Sequence, residues 1–276
     1  MYAGIDIGGS KTLVAALDEH GVIIESTKFP TPQDYDEFIR QLTKAVDEFT
    51  TKDYQAAGLA MPATVFDREH GVGVAFSNLA WKNVPIHTDI TKLLNCPVVI
   101  DNDAKFGALS EAMLLKDSYQ RVLYVTVSTG IGYALVVDGV IDENVGDSGG
   151  RAMRFEHNGV MTGWEDFASG HAIVERYGKK AMDITDETTW KQITHDLCPG
   201  LLELIAILQP EVIVVGGSVG TYFDRYGTFL NEALRQYALP LIPMPVVIGA
   251  QRPEEAVVYG CYDLAKATYG DGSTTR

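Results

Sequence analysis

The chain is short of everything that would tie a fold together covalently. Its 276 residues include three cysteines, Cys96, Cys198 and Cys261. They are odd in number, far apart and without a CxxC pair, so neither a disulfide framework nor a zinc ribbon is encoded. Basic residues are scarce as well: 22 Lys and Arg stand against 37 Asp and Glu, for a net charge of −15. Phosphate-backbone grooves work through Lys and Arg displacing counterions, which excludes nucleic acid as a main partner. Long apolar runs are missing too. A membrane span needs roughly 20 apolar residues, and the best stretch, Leu201 to Val215, is broken by Glu203, Gln209, Pro210 and Glu211. The N-terminus has no basic n-region or cleavage site before its first strand-like run, so no signal peptide and no membrane partner is expected, and the location expected is cytoplasmic.

What is present is a soluble composition, 46% hydrophobic and 21% charged, in a length that suits one large or two moderate domains. Tyr2 to Ile7 reads as a strand, followed by Gly8-Gly9-Ser10-Lys11-Thr12, a second strand Leu13 to Leu17, a turn at Asp18 to Gly21, and a third strand from Val22. The connections are too short for helical crossovers, so the strands are antiparallel. The same order returns about 120 residues later: Val122 to Val127, Ser128-Thr129-Gly130-Ile131-Gly132, Ala134 to Val137, a turn at Asp138-Gly139, then Val140-Ile141. An internal duplication is the economical explanation.

Each copy is followed by helical and buried-strand patterns. In the first half they are a helix over Gln33 to Thr50, strands at Ala56 to Ala60 and Pro97 to Ile100, and a helix over Ala104 to Leu115. In the second half, helices are predicted over Gly163 to Tyr177, Thr188 to Leu208, Tyr222 to Tyr237 and Pro253 to Thr268, with strands at Glu211 to Val215 and Val246 to Ile248 and a tail from Gly270 to Arg276. Mixed sheets with crossover helices, built twice, predict two α/β domains with a cleft between them. We place them at 1–106, completed by the C-terminal helix 253–276, and at 107–252.

The Gly8 to Thr12 segment resembles a Walker A loop but fails its spacing, because Ser10 stands where the lysine would be required and a strand follows instead of a helix. It reads either as a tight hairpin or as a phosphate cradle in which small residues let N–H groups converge on an anion. Its repetition at 128–132 favours the cradle. Asp103 follows a buried strand and opens a helix, a place from which a carboxylate serves as a general base; the alternative is that Asn102 or Asp103 caps that helix. Asn78, in the segment from Ser77 to Pro85, is either a ligand-facing amide or the head of an Asx turn. Trp81 reads as a packing residue.

Taken in order, Asp6-Ile7-Gly8-Gly9-Ser10-Lys11, Asn102-Asp103-Ala104, Ser128-Thr129-Gly130-Ile131-Gly132 and Val215-Gly216-Gly217 resemble the motifs of the ROK family of sugar kinases, within the actin-like, ribonuclease-H-like ATPase superfamily. The resemblance runs from about residue 3 to residue 262, nearly the whole chain. It implies two actin-like α/β domains and a kinase that uses ATP and Mg²⁺ to phosphorylate a hexose, with the 6-hydroxyl of glucose as the leading acceptor. It implies that Gly8, Gly9, Ser10, Lys11 and Thr12 bind donor phosphates together with Ser128, Thr129, Gly130 and Gly132. By the same resemblance Gly216 and Gly217 lie near the nucleotide, and Asp6 positions Mg²⁺ through water. Asp103 is similar to the family's base, with Asn78 and Asn102 as sugar ligands and Asp101 behind them. A homodimer is implied by the resemblance alone.

The sequence departs from the family over 146–170. His157 and Glu165 match the family's sugar-binding His and second Glu, but Arg154 stands at the first sugar-binding Glu, where a guanidinium only donates. Either Glu156 supplies the missing carboxylate, or Arg154 favours an acidic or phosphorylated sugar; His157 also admits a surface or capping role. The cysteines of the family's zinc loop are absent, so no zinc is expected. That deletion is similar to the polyphosphate-dependent glucokinases, which makes polyphosphate the alternative donor. A non-catalytic sugar-binding regulator is the alternative from another class. A DNA-binding regulator is not expected, because the chain begins about four residues before its first motif, where family repressors carry a helix-turn-helix domain.

Overall fold

The computed structural model describes residues 1–76, 78–147, 149–238, 240–252 and 255–270. Ser77, the predicted helix start at Pro253 and the tail beyond Gly270 lie outside the described residues. The chain divides into two compact units, Met1–Ser110 with Glu255–Arg276, and Glu111–Glu254.

In the first unit β1 (Tyr2–Ile7), β2 (Lys11–Leu17) and β3 (Ile23–Pro30) form an antiparallel meander. Helix α1 (Tyr35–Asp47) starts where the Asp34 side chain accepts the Glu37 N–H. It buries Phe38, Leu42 and Val46, the helical stripe read from the sequence. β4 (Ala56–Ala60) then runs parallel to β1. A second small sheet follows, β5 (Ala63–Asp67), β6 (Val72–Phe76) and β7 (Lys82–Val84), with α2 (Ile86–Leu94) after it. The sequence reading contains none of these last four elements, because the strands are short and two of them pair with register shifts that blur alternation. β8 (Val98–Asp101) completes the main sheet parallel to β4 and leads into α3 (Asp103–Leu115). The order is β3-β2-β1-β4-β8.

Trp81 packs. It is buried among Tyr35, Phe38 and Phe76, with its indole N–H donating to the Pro32 carbonyl at 3.2 Å. The opposite face of the sheet is covered by the C-terminal helix Ala256–Tyr269, whose Val258, Tyr262 and Ala265 pack on Tyr2, Leu13, Ala15, Leu17 and Ala56. That helix lies close to the strands because Gly58 has no side chain; a Cβ there would stand 2.5 Å from Cys261 Cα.

The second unit repeats the plan. β9 (Arg121–Val127), β10 (Ile131–Val137) and β11 (Val140–Ile141) are an antiparallel meander. After a 3-10 turn at Gly149–Arg151 comes a hairpin of β12 (Arg154–His157) and β13 (Val160–Gly163). Helices α4 (Trp164–Ala168), α5 (Gly170–Tyr177) and α6 (Glu187–Leu208) follow. Then come β14 (Val212–Gly216), the single turn α7 (Gly217–Gly220), α8 (Gly227–Gln236) and β15 (Val246–Gly249); the C-terminal helix of the first unit is α9. The order β11-β10-β9-β14-β15 matches that of the first sheet, position by position and in strand sense.

Two predicted helices are divided. The 163–177 segment breaks at Ser169, whose hydroxyl caps α5 through the Ala172 N–H at 3.2 Å. The 222–237 segment begins as a 3-10 turn at Phe223–Arg225 and restarts after Tyr226, which is fully buried and stacks on Trp190 at 5.0 Å. Among the described residues no helix is long and apolar enough to cross a membrane.

Candidate active site

The first unit presents its chemistry at the ends of β1 and β8. The β1–β2 hairpin is closed by the Gly8 N–H on the Lys11 carbonyl at 3.0 Å. Thr31 braces it, its N–H donating to the Ser10 carbonyl and its hydroxyl to the Gly8 carbonyl at 2.8 Å. Thr12 is buried and shares a 2.9 Å hydrogen bond with the Thr31 hydroxyl, so its side chain holds the hairpin from behind. Lys11 is exposed. Among the described residues none accepts from the N–H groups of Gly9 and Ser10. Asn78 lies directly on the turn: a Cβ on Gly9 would stand 2.7 Å from Asn78 Cβ. Gln33 fixes that segment by donating to the Asn78 carbonyl and accepting from the Ala80 N–H.

Asp6, in β1, sits beside Asp103 at the start of α3. Burial pushes the Asp6 carboxyl up to about 7, the Asp103 charge adds to the rise, and Lys28 opposes it. Asp103 is exposed on one side, yet the protein around its carboxyl raises its pKa as well, against hydrogen bonds from backbone N–H groups including that of Ala104. Asn102 caps α3, its Oδ1 accepting the Lys105 N–H at 2.8 Å, so the capping reading holds for Asn102. Its amide nitrogen points the residue's remaining chemistry toward donation.

Behind them Asp101 is buried and accepts from both terminal nitrogens of Arg68, at 3.0 and 3.4 Å, and from the Asn102 N–H at 2.9 Å. The fully buried Lys105 ammonium stands 3.8 Å away. Arg68 and Lys105 are absent from the sequence reading; Lys105 carries the only advance signal, a lysine four residues after Asp101 at the start of a helix.

In the second unit the β9–β10 hairpin is closed by the Ser128 N–H on the Gly130 carbonyl at 2.8 Å. Among the described residues none accepts from the N–H groups of Thr129 and Gly130. The two hairpins thus share one device, adjacent free amides at a tight turn. Gly132 lies within β10, partly buried. The α5 N-terminus docks on the turn through the Gly170 N–H to the Ser128 carbonyl at 2.7 Å. Gly217 has φ +79, and a Cβ there would stand 2.5 Å from the Val127 carbonyl oxygen, so only glycine brings α7 this close. Gly216, just before it, packs on the Tyr124 ring. Together Ser128, Thr129, Gly170, Lys180, Ser218 and Tyr222 border a cavity of about 390 Å³, within the usual size of a small-molecule pocket.

Glu165, in the first turn of α4, reaches the same hairpin: its Oε2 accepts the Ile131 N–H at 3.0 Å and its Oε1 accepts from Arg151 at 3.1 Å. His157 is placed apart from that contact. Its ring stacks on Phe167 at 4.4 Å and 7°, and its Nε2 lies 3.4 Å from Arg176. Arg176 is paired with the buried Asp196. Strand alternation puts Arg154 and Glu156 on the exposed face of β12 and Phe155 and His157 on the inner one. The hairpin turns at Asn158 (φ 52) and Gly159 (φ +81), the two-residue turn that Asn-Gly encodes. Cys96, Cys198 and Cys261 are buried and separate.

With this geometry in hand, comparison with known proteins is direct. The structure superposes on a glucokinase from Streptomyces griseus in complex with glucose and AMPPNP with a TM-score of 0.80, covering 96% of this chain and 99% of that one at 21% identity. The fold is therefore that of two actin-like α/β domains. A glucokinase of Streptomyces coelicolor is 24% identical over 314 residues, 95% of this chain and 96% of its own length. An N-acetylmannosamine kinase of Vibrio cholerae is 27% identical over 271 residues, 87% of this chain and 92% of its own. The ROK family model matches residues 2–268. The chain belongs to the ROK family.

Proposed function

We propose that the protein is a cytoplasmic, ATP-dependent sugar kinase that transfers the γ-phosphoryl group to a hexose, with the 6-hydroxyl of glucose as the leading acceptor. The observation that carries this is the Asp6–Asp103 pair: one carboxyl near the end of β1 and one at the start of α3, each pushed above the ordinary carboxylate range by the protein packed around it. Relatives named for kinases of glucose and of N-acetylmannosamine support the reaction class; glucose follows the fuller coverage of the glucokinase relative.

Asp103 takes the proton of the acceptor hydroxyl as its oxygen bonds the γ-phosphorus, and the bond to the β-phosphate oxygen breaks to release ADP. A base of raised pKa suits this step, because once ionised it is a stronger proton acceptor than an ordinary carboxylate. Asn102 and Asn78 would orient the acceptor hydroxyls, and Glu165 would accept from them. The free amides at Gly9-Ser10 and Thr129-Gly130 would bind donor phosphates, and the cavity bordered by Gly170, Ser218 and Tyr222 would take the nucleoside. A buried carboxyl raised beside a second one is electrostatically unsatisfied, which fits a hard dication held through its water shell. Asp6 would hold that Mg²⁺, which when bound neutralises charge on the donor phosphates.

Phosphorus NMR of the protein with Mg²⁺, a sugar panel and either ATP or polyphosphate tests this, with Asp103→Asn beside it. A sugar phosphate formed from ATP and lost in the variant supports the proposal, and product from polyphosphate alone replaces the donor. Sugar binding without product from either donor overturns the enzyme reading in favour of a sugar-binding regulator.

A further inference from the structure

The contact between Glu165 and the β9–β10 hairpin is closer than a neighbouring ligand residue requires. The carboxylate fills the space a side chain at 130 would occupy, since a Cβ on Gly130 would collide with Oε2. Its two oxygens do different work: Oε2 takes the Ile131 N–H, one residue beyond the free amides of Thr129 and Gly130, and Oε1 takes the Arg151 guanidinium. The turn that delivers Arg151 presses on the same point. A Cβ on Gly150 would stand 2.9 Å from Ile131 Cβ, and Gly149 lies against the Ile131 carbonyl with φ +55. Glu165 is 19% exposed and Arg151 66% exposed, so the carboxylate is seated while its cationic partner stands in solvent.

We infer that Arg151 is a positioning residue that, through Glu165, couples occupancy of the acceptor site to the order of the donor hairpin. The inference rests on the kinase reading above, in which Glu165 accepts from sugar hydroxyls and the hairpin binds phosphate. A carboxylate has about four acceptor directions, and two are used here. Vicinal hydroxyls of a polyol acceptor fill the others. Each added donor narrows the rotation of the carboxylate, which fixes Ile131 and with it the two amides that face the donor. Arg151 sets the starting orientation; without it, hydroxyls turn the carboxylate freely and the hairpin does not respond. Coupling of this kind is reciprocal, so nucleotide also tightens sugar binding.

Isothermal titration with AMPPNP and Mg²⁺, with and without the sugar the wild-type protein phosphorylates best, measures the coupling. We expect the wild-type dissociation constant for AMPPNP to fall about tenfold when sugar is present, in the usual range for coupled sites. Arg151→Ala and Glu165→Gln should reduce that factor to below about two, and Arg151→Lys, which still donates to Oε1, should restore a substantial part of it. A wild-type factor retained in Arg151→Ala overturns the inference. So does an equal loss of AMPPNP affinity with and without sugar, the signature of a merely structural role. A wild-type protein that phosphorylates sugar without coupling sinks this inference alone, whereas one that binds no nucleotide sinks the kinase reading with it.

Discussion

Gly9 and Asn78 touch so closely that no other residue fits at position 9: the added carbon would meet Asn78 Cβ at 2.7 Å. The contact joins the first hairpin to the segment read as sugar-facing, and Asn78 Cβ, being next to the main chain, has little room to yield. We expect Gly9→Ala to raise KM for the sugar and lower kcat/KM at least tenfold. The melting temperature should fall only modestly, because the turn, exposed at Ser10, shifts to relieve the clash. Steady-state kinetics beside a melting curve tests both halves of the statement, and an active variant with unchanged KM would refute it.

Removing the base gives a different pattern. Asp103→Asn keeps size and capping geometry, so sugar affinity should stay within a few-fold while kcat falls by roughly 10²–10⁴, the usual contribution of a general base. The raised pKa of Asp103 also fixes the pH profile. The base works only when ionised, so wild-type kcat/KM should rise with pH along an acidic limb whose midpoint lies above the ordinary carboxylate range. A limb at the usual carboxylate pKa, or none at all, would count against Asp103.

Asp196 is buried and paired with Arg176, which also lies against His157 and the Phe167 carbonyl. Asp196→Ala removes the buried carboxylate that anchors the solvent-facing Arg176 guanidinium, at a cost of about 1.5–3 kcal/mol. A lower urea midpoint should show it. The His157 ring should lose its fixed stack on Phe167, visible as a changed imidazole shift in NMR.

Glu25 ties β3 to the end of α1 by accepting from the Thr50 N–H, the Thr50 hydroxyl and the Thr51 N–H, which holds its pKa down at about 2 from an ordinary 4.5. A folded pKa below the unfolded one contributes stability that is fully present above pH 4.5 and is lost as pH falls toward 2. Glu25→Gln should flatten the pH dependence of unfolding in that window and leave it unchanged at neutral pH. Denaturation curves at several acidic pH values decide it.

Much of this arrangement is legible in the sequence because local rules write it. Tight strand–turn–strand hairpins need small residues, so Gly8-Gly9 and Gly130 announce themselves, and the stripe of Phe38, Leu42 and Val46 announces α1. Asn158-Gly159 is as strong a turn signal as any in the chain, but the family pattern of a metal loop there draws attention from it. Ser169-Gly170 likewise carries the cap that divides the 163–177 helix. What local rules cannot write is pairing at a distance. Arg151 with Glu165, Arg176 with Asp196 and Arg68 with Asp101 are set by how strands and turns are brought together, and an isolated arginine carries no period to read. Thr12 shows a further limit: the motif marks its position, but not that its hydroxyl turns to Thr31.

The placement of α9 has a consequence for how the protein is made. Tyr2, Leu17 and Ala56 are covered only when Val258, Tyr262 and Ala265 arrive, more than two hundred residues further along the chain. On the ribosome the second unit, continuous from 111 to 254, has all its parts first. The half that emerges earliest is finished last, and until α9 emerges it waits with one face of its sheet bare, the interval in which a chaperone has most to do.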